Sequence, residues 1–180
     1  MSTELRIRLQ VRAVEQGVGQ LYAELAEERH IEILDAHEAR TFLQCFLIAL
    51  MKTECVKNSV AMEIAGSKEL TDGLERDFGS GKPERDASRG RAVIDYRLLE
   101  ERLGLVLAEM EKNGWVRLAD TEECRKYAAM SACGLLKATF ASHGIPLEFR
   151  NAEGINALLE DISQVVAKER GLSDWPPSKN

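Results

Sequence analysis

At 180 residues the chain has the length of one domain, and its 44% hydrophobic and 30% charged residues are globular values that set aside fibrous and wholly unstructured classes. The formal charge of -6, from 24 Lys and Arg against 30 Asp and Glu, argues against a general basic field for nucleic acid or anionic membrane. The cysteines Cys45, Cys55, Cys124 and Cys133 all lie in apolar, helix-like segments and read as reduced core residues. The first residues, MSTELRIRLQ, carry no apolar leader, and the longest apolar run is about half of the roughly twenty residues that span a bilayer, so a soluble, cytoplasmic chain with no membrane contact is expected.

Residues 4–29 carry two patterns. Leu5, Ile7, Leu9 and Val11 alternate with polar residues as in a strand, while Ile7, Val11, Val14, Val18, Leu21 and Leu25 step by four and three as in an amphipathic helix. The longer pattern predicts a helix, interrupted only by Gly17 and Gly19. His30 to Leu34 reads as a short extended connection. Asp35 with Glu38 forms a capping pair, and a helix over 36–65 follows, apolar on nearly every side from Phe42 onward and stopped by Gly66. This helix is expected to be the central element.

Ser67 caps a brief helix through Phe78, and 79–92, GSGKPERDASRGRA, reads as a flexible loop. Between Ser80 and Ala92 the chain has four basic and two acidic residues, whereas acidic residues outnumber basic ones both before and after it. Asp95 caps a helix striped by Leu99, Leu103, Val106 and Met110 and ended by Asn113-Gly114, after which Trp115 to Leu118 is extended. Asp120 with Glu123 opens a helix to His143 whose small residues predict close packing on the 36–65 helix. Pro146 to Phe149 is a short extended piece, Asn151 caps a last helix ended by Gly171, and 173–180 is an unordered tail. The fold predicted is all-α, a single-domain bundle of five or six helices over 1–172 with very short extended segments, and no repeat of solenoid period is visible.

Motifs for chemistry fail on their own requirements. His37-Glu38 lacks the second histidine of a zinc protease helix, since Thr41 stands there, and Glu27 with His30 has no second copy to complete a di-metal site. Gly79-Ser80-Gly81-Lys82 has Arg76 and Pro83 where a phosphate loop needs Gly and Ser or Thr. No feature supports a cysteine acting with His143, and the region around Trp115 offers one strand where a winged helix needs a two-stranded wing. No cofactor or metal site is expected.

Two arginine groups remain: Arg6, Arg8 and Arg12 near the start, and Lys82, Arg85, Arg89, Arg91 and Arg97 in and after the loop. Gathered on one surface they could contact a phosphate backbone. The function expected is therefore a small non-enzymatic interaction protein, an adaptor, inhibitor or complex subunit that contacts another protein or itself. The alternative is an accessory nucleic-acid binder or helical subunit of a nucleoprotein complex using those basic residues.

Overall fold

A computed structural model describes residues 4–81, 91–152, 154–172 and Trp175. Along the chain it contains β1 (Leu5–Leu9), α1 (Val11–Glu27), β2 (Ile31–Ile33), α2 (Ala36–Lys57), β3 (Val60–Ile64), α3 (Lys68–Phe78), β4 (Ala92–Asp95), α4 (Tyr96–Lys112), β5 (Val116–Leu118), α5 (Thr121–Ser142), β6 (Leu147–Arg150) and α6 (Ile155–Glu169). The molecule is mostly helical, but it is not the all-α bundle expected. Three two-stranded pairings thread through it: β1 with β3 and β4 with β6 are parallel, and β2 with β5 is antiparallel.

The extended segments predicted around Ile31, Val116 and Leu147 are present. Four other expectations are corrected. Leu5 to Leu9 is strand, because its backbone finds β3 in parallel register, with Ile7 opposite Met62 and Leu9 opposite Ile64. The long helix stops at Lys57, eight residues early. Ser59 takes a left-handed turn at φ 57°, and Val60, Met62 and Ile64 then point inward from a strand. Asp95 does cap α4, yet it also ends strand β4, which lies partly in the expected loop; the loop's residues 82–90 lie outside those described. Asn151 does not cap α6. It sits at φ 55° and its side chain donates to Asp95, and Gly154 stands before the helix instead.

The caps follow local chemistry. Asp35, Ser67, Asp95 and Asp120 each accept a hydrogen bond from the amide three residues on, at 3.1 to 3.3 Å. Each bond satisfies a donor that a helix start leaves unpaired, worth about 1 kcal/mol.

The twelve elements are one six-element unit used twice. α1 and α4 are both 17 residues long, α2 and α5 both 22, and their starts are separated by the same 85 positions that separate Glu32 from Arg117. Val14, Val18, Leu21 and Leu25 of α1 are buried, as are their counterparts Leu99, Leu103, Val106 and Met110 of α4. The left-handed turns recur too, with Arg29, Ser59 and Gly66 in the first half answered by Gly114, Gly144 and Asn151 in the second. No single helix is therefore central; α2 and α5 hold equivalent places. α5 packs chiefly on α6, α4 and α1, not chiefly on α2 as its small residues suggested.

The halves meet about a local two-fold axis at the middle of the β2–β5 pair, where Glu32 faces its own counterpart Arg117. Around it the contacts exchange. Leu34 N–H donates to Trp115 O at 2.9 Å and Ala119 N–H donates to His30 O at 2.8 Å. Trp115 packs on Phe42 at 5.2 Å between ring centres, and His30 packs on Tyr127 at 5.6 Å. Further out, the residue ending each long helix reaches the first strand of the other half. Asn58 accepts from Val93 N–H at 2.8 Å and donates to Val93 O at 3.1 Å, while Arg8 N–H donates to His143 Nε2 at 3.0 Å. His143 Nδ1 lies 2.8 Å from Thr139 O, an arrangement in which Nδ1 carries the proton and Nε2 accepts.

These bonds satisfy the free edges of two short parallel ribbons, so their loss should be felt by the whole fold. His143→Ala is expected to lower stability to urea by about 1 kcal/mol and Asn58→Ala by about 2 kcal/mol, since Asn58 satisfies two backbone groups. His143→Asn, which copies the other half, should recover most of the first loss. Equal losses for Ala and Asn at position 143 would contradict this account.

Candidate docking groove

The structure divides the described arginines between the halves. Arg6 and Arg8 project from β1 toward Glu63, at 3.9 and 3.7 Å, and Arg6 also meets Glu4 at 3.4 Å. Arg91, the counterpart of Arg6, meets Glu148, the counterpart of Glu63, at 3.4 Å. Arg12 and its counterpart Arg97 are exposed at the second position of α1 and α4. Lys82, Arg85 and Arg89 lie outside the described residues.

Nucleophile and metal chemistry find little footing. Burial pushes the thiols of Cys55 and Cys133 up to about 12 and that of Cys124 to about 11, so all three stay protonated near neutrality and are poor nucleophiles. Cys45 is exposed, contrary to the expectation that all four are core residues. No group of three or more His, Cys, Asp or Glu among the described residues could hold a metal ion. His143 is engaged with Arg8 and Thr139, and β5 pairs with β2 rather than forming part of a wing. No described helix is long and apolar enough to cross a membrane.

Two buried lysines are the least expected feature. Lys52 of α2 and its counterpart Lys137 of α5 are 3% and 5% exposed. Lys52 is paired with Glu75 of α3, and Lys137 lies 3.6 Å from Glu160 of α6, again a counterpart pair. Lys137 Nζ also donates to Leu147 O at 2.5 Å. Beside them, Thr71 accepts from Ile64 N–H and Asn156 accepts from Phe149 N–H, both at 2.9 Å. Each half thus ties its last helix to its long helix through a buried ammonium and to its third strand through a polar side chain.

The halves differ in their side chains on the face between α1, α5 and α6. Between α1, α5 and α6 lies an open groove of about 720 Å³, floored by Leu21, Tyr127, Met130, Leu135, Leu159 and Ile162. It is open where side chains are small, at Gly17, Ser131 and Gly134. A Cβ added at Gly17 would touch nothing within 4 Å, and one at Gly134 would only reach Ile162 Cδ1 at 3.8 Å. The counterparts of these three residues are Arg102, Phe46 and Ala49, and Arg102 crosses from α4 to within 3.6 Å of Glu54 on α2. On the lip of the groove α6 exposes Leu158 (68%), with Val165 (56%) two turns on along the same face. The rim is acidic. Glu24 and Glu123 line it, and Lys126 is held above its ordinary value by Glu122 first and then Glu123, at 3.0 and 3.7 Å.

Comparison with known proteins finds no family model, curated protein or solved structure that matches the chain. Sequence reasoning passed over the lysines and the groove because both are visible only against the other half. The signal was the spacing of 85: Asp35, Glu38, Arg40 and Lys52 recur as Asp120, Glu123, Arg125 and Lys137.

The two partners of the buried pair should respond unequally. Glu160→Ala strands a buried ammonium and is expected to cost about 2 to 3 kcal/mol in chemical denaturation, whereas Lys137→Met keeps the apolar stem, leaves a half-exposed carboxylate to water and should cost under about 1 kcal/mol. The reverse order would show that the ion pair does not hold α6 in place.

Proposed function

We propose that the protein is an interaction protein, an adaptor, inhibitor or complex subunit, that binds another protein through the α1–α5–α6 groove. The observation carrying this reading is the groove itself and its difference from the equivalent face: a duplicated fold keeps equivalent core residues in both halves, yet the α1–α5–α6 groove has Gly17 and Ser131 where the other half has Arg102 and Phe46. An apolar floor beside an exposed leucine and a polar rim is the anatomy of a protein-binding surface.

A photoreactive phenylalanine at position 131, activated in cells making the protein, should give one dominant adduct with a single protein, and the same group at position 46 should not. The purified pair should then associate, and the double variant Gly17→Arg with Ser131→Phe, which borrows the other half's residues, should abolish association without lowering thermal stability. Adducts scattered over many proteins, or an association indifferent to the double variant, would refute the reading.

The nucleic-acid reading draws on a different observation, the recurrence of Arg6 and Arg12 as Arg91 and Arg97 at equivalent positions. Against it, Arg6, Arg8 and Arg91 each face a glutamate. If nucleic acid is the partner, Arg12→Ala with Arg97→Ala should weaken binding to duplex DNA or RNA in fluorescence anisotropy and flatten its salt dependence by about two contacts. No binding by the unaltered protein at low salt would end that alternative.

A further inference from the structure

The groove's walls and charge point to its occupant. We propose that it receives one amphipathic helix of about three turns from a partner protein, with basic residues flanking its apolar stripe. This deepens the interaction reading above and rests on it. All three walls are helices, and no strand edge lines the groove, so an extended peptide would find no backbone ladder to join, whereas a helix can set its side-chain ridges between those of α1, α5 and α6. Along α5 the groove runs from Glu123 to Leu135, about 18 Å at the helical rise of roughly 1.5 Å per residue, which is about three turns of a docked helix.

The rim decides the sign. Glu24 and Glu123 line the groove and Glu122 stands beside it; the one base in the lining, Lys126, is already shared between Glu122 and Glu123. Basic margins would meet these carboxylates on arrival and acidic margins would be repelled. The same consideration disfavours a second copy of this chain, which brings a further charge of -6. Because the counterpart face carries Arg102, Phe46 and Ala49, the stoichiometry is one helix per chain despite the internal two-fold.

The probes are two fluorescein-labelled helical peptides of about fourteen residues with the same Leu stripe, one with Lys and one with Glu on both margins, titrated into the full chain. The Lys peptide should bind one to one, about tenfold or more tighter than the Glu peptide, with affinity falling as salt rises. Gly17→Arg with Ser131→Phe should weaken it about tenfold or more. Glu24→Lys with Glu122→Lys leaves the floor intact and should narrow or invert the preference. Equal binding of the two peptides, binding of neither, two sites per chain, or dimerisation of the chain through the groove in light scattering would each overturn the proposal. A single protein crosslinked at position 131 without peptide binding would overturn the helix and leave the interaction reading standing. Selective peptide binding without any crosslinked protein would overturn the interaction reading and with it the partner as the source of the helix, leaving only the groove's selectivity for a basic amphipathic helix.

Discussion

The exchange of hydrogen bonds between the two halves is the constraint on which the rest of the structure depends. A two-stranded parallel ribbon is not stable alone, because most of its backbone groups face outward unpaired. Here β1 and β4 each have one edge occupied by the third strand of their own half and a group on the other edge held by the C-terminal residue of the other half's long helix, His143 on Arg8 and Asn58 on Val93. The antiparallel β2–β5 pair is shared by construction. Each half supplies what the other lacks, so the duplicated units form one cooperative body with a common core, not two beads on a string.

That dependence also decides what could be read from the sequence. Helix starts were legible because a cap is local: Asp35, Ser67, Asp95 and Asp120 act on amides three residues away. The α1 and α4 stripes were legible for the same reason. The extended pieces at β2, β5 and β6 were legible as well, but β1, β3 and β4 were not. Five residues of β1 alternate correctly, but a seam continuing into α1 outvotes them in any short window, and what settles the matter is β3, more than fifty residues on. Val60 to Ile64 reads as the tail of an apolar helix until Ser59 turns the chain. Asn58 and His143 share no residue type, and only their equivalent places reveal a shared task.

Duplication gives the groove its meaning, because it supplies an internal control. Core positions of the halves are held to similar sizes: Val14 and Leu99, Val18 and Leu103, Leu21 and Val106 all face the interior. A surface position is free of that packing demand, so a difference there reflects local packing or use. Glycine within a helix costs about 1 kcal/mol relative to alanine. Gly17 in α1 and Gly134 in α5 both accept that cost beside open space, while Arg102 bridges two helices at the counterpart of the first. Packing does not require glycine at either position.

The buried lysines connect this surface to the scaffold. An ammonium under a helix is expensive to desolvate and would be replaced by an apolar residue if filling space were its only task. Lys137 reaches from α5 to Glu160, which lies on α6 between Leu159 and Ile162, two residues of the groove floor. Lys52 makes the counterpart tie to Glu75 on α3, in the half where Arg102, Phe46 and Ala49 stand in place of Gly17, Ser131 and Gly134. The tie is therefore a property of the unit. In the second half it adds a directional ion pair to the packing of α6 on α5, where Leu159 and Ile162 join the common core.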